Sequence, residues 1–549
     1  MSAAIHRQPR TRQLLTATVA SLMTLSVAAA ADQGWTVHGG THNNQRFSPI
    51  NQINEHTISR LGLVWSQELG TTRGLEATPL VEEGVVYVTG SWSVVFAFEA
   101  KTGRLIWTYD PKVARERAYF VCCDVVNRGV ALYKGKVYVG TIDGRLIALD
   151  QHTGSPVWSV QTTDPTKPYS ITDAPIIAND KVVIGNSGSE YGVRGYLTAY
   201  DPESGKQLWR FYTVPGDPQK GFESKAMEAA AKTWIGKNWW ETGGGGSAWG
   251  GMTYDADLGL LFFGTGNPVA WYRALRGGGD NLYTACIIAV KEATGELAWY
   301  FQTTPSDSFD FDATQPLIQA DLPIQGRLRK VLLQANKNGF FYVLDRRTGE
   351  FLSAMPFVSG INWASGIDSG TGRPIEVPGV ADMNPKIISP TATGAHNWNP
   401  MAFHPGTGLV YVPVRDGTLT VYRPDRNWKY DPNRYNLGFD PQYQGPYSLR
   451  SGRFLPRRAH SWPGIRSFRN QHGARTTLSL KERVCLRPGA TSYFKAARTA
   501  CSRRTAPQTG SGFGNLMPAR ASWHLQSPTP WMEDNTLRSW QGGVASVAS

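Results

Sequence analysis

Two adjacent cysteines, Cys122 and Cys123, are the least common feature of the chain. In an exported protein such a pair can close a vicinal disulfide, a strained ring of the kind that marks functional surfaces. The plainer alternative is two thiols that are unpaired or paired elsewhere. The run Asp124-Val125-Val126-Asn127-Arg128-Gly129 follows at once and brings a guanidinium able to bind a carboxylate. Further on, Asn186-Ser187-Gly188-Ser189-Glu190 ends an apolar strand with hydroxyls, backbone N–H groups and a carboxylate. Phe263-Gly264-Thr265-Gly266-Asn267-Pro268 ends another strand with an amide oxygen. Phe309-Asp310-Phe311-Asp312 sets two carboxylates two residues apart, on one side of a regular strand. Glu190, Asn267 and Asp310 are the hard oxygen donors that Ca²⁺ prefers. Each taken singly reads more readily as an ordinary residue than as a ligand, and the sequence alone does not show that the three converge.

Such residues need a scaffold that gathers strand ends, and a repeat supplies one. Ala97-Phe98-Glu99 leads through Thr102-Gly103 to Trp107, and Ala148-Leu149-Asp150 through Thr153-Gly154 to Trp158. Ala199-Tyr200-Asp201 leads through Ser204-Gly205 to Trp209, and Ala289-Val290-Lys291 through Thr294-Gly295 to Trp299. Leu344-Asp345 with Thr348-Gly349 is a weaker fifth copy. The residue ending each strand is acidic in most copies and can accept turn N–H groups, Gly supplies positive φ, and Trp opens the next strand and packs between sheets. Trp107, Trp158 and Trp209 are spaced by 51 residues each time. A period near 50, with short strands and few helical signals, predicts an all-β fold, a β-propeller. The one clear helical stretch, Phe222 to Lys237, reads as a surface insertion.

The N-terminus has a basic start (His6, Arg7, Arg10, Arg12), an apolar stretch from Leu14 to Ala29 and small residues at Ala28–Ala31. Residues 1–30 therefore read as an export signal, and the location as periplasmic. No later segment is suited to span a membrane, no Cys-x-x-Cys-His motif marks a covalent haem, and no cysteine near the cleavage region suggests a lipid anchor. The net charge of +13 is uneven: residues 451 onward carry 15 Lys and Arg against 3 Asp and Glu, and the rest 41 against 40. The body gives no electrostatic case for nucleic acid.

Four motifs between about Trp35 and about Tyr422 resemble the pyrroloquinoline-quinone-dependent alcohol dehydrogenases. They are Cys-Cys-Asp-x-Val-Asn-Arg-Gly, Gly-x-Ser-Gly-x-Glu-x-Gly-Val-Arg-Gly, Gly-Thr-Gly-Asn-Pro and Gly-Ala-His-Asn-Trp. Arg73-Gly74-Leu75-Glu76-Ala77-Thr78-Pro79 is similar to the ethanol-oxidising branch. The resemblance implies an eight-bladed propeller with Asp310 as the base that takes the alcohol proton. It implies Glu190, Asn267 and Asp310 as metal ligands, and a quinone between the Cys122–Cys123 ring and the Trp249 indole. Glu76, Arg128, Thr172, Ser187, Gly188, Ser189, Lys337 and Asn397 would bind the cofactor's polar edges. In this family an Asp two residues past the base goes with lanthanide use, so Asp312 joins the metal set and favours a lanthanide ion over Ca²⁺; an extra carboxylate balances a trivalent ion. The implied partners are a small alcohol, a soluble cytochrome c as electron acceptor and, as an option, a second copy in a homodimer. Two departures stand out: Phe309 replaces the usual Trp, and Lys337 replaces the Arg of the methanol type. The competing reading is a non-catalytic propeller scaffold, such as an outer-membrane assembly factor with the same Trp repeats.

The division expected is a signal at 1–30, a propeller at 31–449 and a divergent basic tail at 450–549. The tail loses the periodicity, which leaves the last blades disrupted and allows a third reading, a dehydrogenase copy inactivated by its tail. With suitable choices among synonymous codons, Tyr493–Ala500 and Pro530–Val544 can be re-read in one shifted frame as propeller-like segments, which points to a frame shift near Tyr447 to Arg457. Sequencing the gene through codon 455 is expected to show a gained or lost base; an unbroken, well-supported frame there overturns this reading.

Overall fold

The computed structural model describes residues 34–236 and 239–440, and the backbone of three later strands, Pro446–Ser448, Arg483–Leu486 and Val544–Ala548. The expected signal lies outside the described residues, as does most of the tail, including the segments re-read in the shifted frame.

Five complete four-stranded antiparallel sheets follow one another along the chain, each a meander of consecutive strands. The first is Leu80–Glu82, Val85–Thr89, Val95–Glu99 and Leu105–Tyr109. The next four begin at Ala131–Tyr133, Ile176–Ala178, Thr253–Asp255 and Ile318–Ile324. The first four of these strands, and the residues leading into the fifth, line a common cavity of about 410 Å³, as the inner edges of propeller blades must. Three-stranded sheets follow, and Leu63–Glu68 pairs with Val544–Ala548. The fold class is the one expected; the five complete blades do not by themselves establish the count of eight.

The repeat does what its residues suggest. Asp150 Oδ1 accepts the N–H groups of His152 and Thr153 at 3.1 and 2.8 Å, and Asp201 Oδ1 those of Glu203 and Ser204 at 3.1 and 2.8 Å. The indole of each blade then crosses to the next. Trp107 Nε1 donates to Gln151 O at 3.1 Å, Trp158 to Pro202 O at 3.1 Å, Trp209 to Glu292 O at 2.9 Å and Trp299 to Arg346 O at 3.2 Å. Each ring lies flat on the turn glycine of that next blade: Gly154, Gly205, Gly295 or Gly349. Trp65 does the same with Ala100 O (2.8 Å) and Gly103, a copy the repeat did not disclose. A strap at residues 36–46 lines the channel and ties distant blades. Asn44 Nδ2 donates to Leu317 O at 2.9 Å, Gln45 Nε2 to Gln319 O at 2.8 Å and Arg46 Nη2 to Thr78 Oγ1 at 3.0 Å.

The expected insertion is a shorter helix, Lys225–Ala231, capped by Ser224. It is not purely superficial, since Met227 and Ala230 are buried against the core between the third and fourth blades. Among the described residues no helix is long and apolar enough to cross a membrane.

Gly154 and Gly135 separate backbone strain from indole contact. Both have positive φ (71° and 68°), but a Cβ on Gly154 would lie 2.6 Å from the Trp107 ring, whereas Gly135 has open space. Gly135→Ala is expected to cost about 1–2 kcal/mol, the left-handed penalty alone. Gly154→Ala should cost a further ~1–3 kcal/mol for overpacking. Equal shifts of the two urea midpoints would show that the indole does not fill that space.

Candidate active site

The residues singled out in the sequence gather in two charge clusters. In the first, Arg128 is ion-paired with Glu76 at 2.8 Å and donates to Thr172 Oγ1 at 2.9 Å. Thr172 Oγ1 in turn lies 3.2 Å from Ser187 Oγ. Backbone bonds outside the strands make this chain of contacts: the Arg128 main-chain N–H bonds to Thr172 O, and Ser170 and Ser187 exchange backbone bonds. The Arg128 guanidinium lies 5.3 Å from the centroids of both Trp249 and Trp398. Gly188 has φ 116°, and a Cβ there would meet Pro168 O at 2.8 Å, so only glycine fits this turn. Ser189 Oγ lies 2.5 Å from Ser247 Oγ, tying the loop to the Trp249 segment.

The second cluster centres on the buried Lys337. Its ammonium lies 2.9 Å from Asp310 Oδ2 and 2.8 Å from Asp312 Oδ2. Asp312 Oδ1 also accepts the Asn267 N–H at 2.6 Å. Asn267 Nδ2 donates to Pro268 O at 3.1 Å, which leaves the amide oxygen as the free end. Glu190 feels the charges of Asp312 and Lys337, and its carboxyl is pushed up by burial first and by Asp312 second. Burial likewise raises Asp310 well above the ordinary range, with Asp312 and Glu190 adding to it and Lys337 opposing. For Lys337 burial works against the charge, but Asp310 and Asp312 outweigh it and hold the ammonium protonated.

Three expectations change. Asp310 and Asp312 do not lie on a strand but on the irregular segment before Ile318–Ile324, and Asp310 has φ 64°. They reach the same ammonium because that loop is bent, not because strand residues alternate. Cys122 and Cys123 are free thiols: their sulfurs are 2.8 Å apart, well beyond the ~2.05 Å of a disulfide. Because one sulfur donates to the other, the Cys122 thiol is raised and the Cys123 thiol lowered. Both feel Glu190, and Cys123 also feels Arg128. Asn397 is not brought in, since its amide is used locally, accepting from Trp398 N–H at 2.8 Å and donating to Thr393 O at 3.0 Å. Its neighbour Trp398 reaches Arg128 instead.

The donor set fits a cation. Asp310 and Asp312 place two carboxylates on one ammonium, Glu190 feels the charges of both Asp312 and Lys337, and the buried Asp310 Oδ1 has no partner. Among the described residues no three acidic, His or Cys side chains close into a coordinating group, so Lys337 serves as the counter-charge of this arrangement. The guanidinium and hydroxyls of the first cluster fit an anionic, polar-edged molecule.

Sequence reasoning missed Asp173, which follows Thr172 and lines the 410 Å³ cavity with Glu76, Arg128 and Trp249. Its only signal was adjacency to Thr172. Burial holds its carboxyl up at about 7, against the pull of Arg128 and the Ala174 N–H. A raised carboxyl favours the folded state while protonated, and that advantage is lost as pH climbs from about 4 to about 7. Asp173→Asn should therefore gain stability over the unsubstituted chain across this window and hold a constant gain above it. Urea unfolding at several pH values measures the gap; a pH-independent difference would mean that the carboxylate is solvated.

The family of glucose, ethanol and alcohol dehydrogenases built on the PQQ β-propeller domain matches residues 35–356. Quinohemoprotein alcohol dehydrogenase ADH IIB of Pseudomonas putida is 53% identical over 426 residues, 77% of this chain and 61% of that protein. The 1-butanol dehydrogenase (cytochrome c) of Thauera butanivorans is 44% identical over 465 residues, 81% of this chain and 66% of its own length. The chain thus spans less than two thirds of the length of these relatives. A europium-containing methanol dehydrogenase structure superposes with a TM-score of 0.69 at 36% identity, covering 75% of this chain and 73% of that one. With motifs, blades and charge clusters in agreement, the chain belongs to the PQQ β-propeller family of glucose, ethanol and alcohol dehydrogenases.

Proposed function

We propose that the chain oxidises small primary alcohols to aldehydes in the periplasm, using pyrroloquinoline quinone and a bound metal ion and passing electrons to a cytochrome c. The propeller body would be residues 31–449, eight-bladed when complete, after a signal at 1–30 and before the divergent tail at 450–549. The observation that carries this reading is the excess of buried carboxylates around Lys337, with one Asp310 oxygen unpartnered. Burying charge is costly unless it is balanced, and a scaffold has no use for that cost.

Glu190, Asn267, Asp310 and Asp312 would hold the metal. Arg128, Thr172, Ser187 and Ser189 would hold the quinone's carboxylates, with Glu76 fixing the guanidinium, and Trp249 and the Cys122–Cys123 pair would flank the ring. When bound, the quinone accepts the hydride and the metal acts as a Lewis acid on it. Asp310 takes the alcohol proton at its unpartnered Oδ1. Lys337 keeps the cluster from carrying its full negative charge, and Asp312, fixed by Lys337 and the Asn267 N–H, keeps its carboxylate in place beside Asp310.

Two carboxylates share the one Lys337 ammonium, and Glu190 feels the same charges, so a bound cation would relieve their mutual repulsion and a trivalent ion would do so more fully than Ca²⁺. The likeness to the europium-containing structure supports the lanthanide. The name of the butanol-oxidising relative supports cytochrome c as acceptor.

Dye-linked ethanol oxidation after reconstitution with the quinone and either Ca²⁺ or La³⁺ tests the reading. Turnover with La³⁺ exceeding that with Ca²⁺ is expected. Asp310→Asn should lower kcat by at least ~100-fold, the scale of general-base catalysis. Asp312→Ala should weaken La³⁺-supported turnover more than Ca²⁺-supported turnover. An Asp310→Asn protein with unchanged kcat would remove the base from this site.

A further inference from the structure

Arg276 is 8% exposed, yet among the described residues no carboxylate lies within ion-pairing distance of it. Its donors go to fixed oxygens instead. Nη1 donates to Ala270 O at 2.7 Å and to Trp271 O, Nη2 to Asp307 O at 2.5 Å, and Nε to Asn281 Oδ1 at 3.0 Å. One planar guanidinium thereby joins the loop that runs on from Asn267 to the loop that leads to Asp310. A lysine could not repeat this, because its ammonium is a single point and not a rigid fork.

Asp307 completes the joint from the other side. It is 1% exposed, and its two oxygens take different amides: Oδ1 accepts Phe309 N–H at 2.9 Å and Oδ2 accepts Phe311 N–H at 2.8 Å. Those amides flank Asp310, the residue with φ 64°. Elsewhere in the chain, turn aspartates such as Asp150, Asp201 and Asp368 are only weakly covered and use a single oxygen for their turn amides. Asp307 is built differently: it holds the backbone on both sides of one strained residue. Tyr422 adds a third tie, its hydroxyl donating to Phe309 O at 2.9 Å.

We infer that Arg276 and Asp307 are a pair of positioning residues that hold the Asn267 and Asp310 loops in register, so that an amide oxygen and a carboxylate meet one cation. Neither has a role in the site as read so far, and the inference rests on reading Asn267 and Asp310 as ligands. Outer partners that orient ligands in this way typically change metal affinity or activity by about 10- to 100-fold when removed.

The test uses the full-length protein, with Tb³⁺ as the trivalent probe. Luminescence titration gives its affinity, and quenching of tryptophan fluorescence gives quinone binding to the metal-free protein. Asp307→Asn and Arg276→Lys are each expected to weaken Tb³⁺ by about 10- to 100-fold and to lower kcat for ethanol more than they raise KM. Quinone binding to the metal-free protein should stay close to that of the unsubstituted chain, because the Arg128 cluster is untouched, while its thermal midpoint falls modestly from the buried hydrogen bonds lost. Unchanged Tb³⁺ affinity in both variants would overturn the inference. So would a parallel fall of Tb³⁺ affinity, quinone binding and midpoint, which is the signature of general loosening. Asp310→Asn is the separating arm: if it turns over normally, the reading of Asp310 fails, whatever the two positioning variants show.

Discussion

The structure depends on one contact, an indole laid flat on a glycine of the next blade. A propeller blade is a small sheet that cannot bury its own faces, so neighbours must be locked at a fixed angle. The lock has two parts that need each other. The glycine at positive φ leaves the room that a ring requires, and the indole N–H reaches past it to a main-chain carbonyl beside the same turn. Five such contacts run in series from Trp65 to Trp299. Because each fixes a blade relative to the next, the first strands converge on one channel, and so do the loops that carry chemistry.

Those loops then carry a burden the scaffold does not share. The Lys337 cluster buries more negative than positive charge, and it does so on irregular backbone, with Asp310 in the left-handed region. Strain and unbalanced charge at one place are costs that persist only where the surroundings over-determine the geometry. Here the surroundings are Asp307 on the flanking amides, Tyr422 on Phe309 O and Arg276 on three carbonyls. The packing of blade against blade is what holds such an arrangement together.

The scaffold was legible in the sequence because its contacts recur: one Trp, one Gly and, in most copies, one acidic turn residue, with Trp107, Trp158 and Trp209 spaced by 51 residues. Trp65 escaped because it precedes the first full copy. Glu76, Arg128, Thr172 and Ser187 were legible through motifs and do meet, as do Asp310, Asp312 and Lys337. What the sequence does not carry is how a loop spends its side chains. Asn397 and Trp398 are neighbours, and only the fold decides that the indole, not the amide, reaches Arg128. Arg276 is the second of two nearby arginines before a glycine run, and nothing in its neighbours says that it will bridge two loops. Asp307 offered a faint signal, an Asp with amides two and four residues on, but that pattern is common in turns and becomes distinctive only when buried.

The two clusters differ in a way that bears on what they can hold together. The Arg128–Glu76 pair is close to neutral, and Asp173 beside it is half protonated near pH 7. The Lys337 cluster sets two carboxylates against one ammonium. On the function proposed above, an anionic molecule spanning both clusters would meet donors at one end and carboxylates at the other. A cation held by those carboxylates would lower the work of bringing in the anion, and the coupling would be reciprocal. Arg128 and Lys337 mark the two ends of such a site.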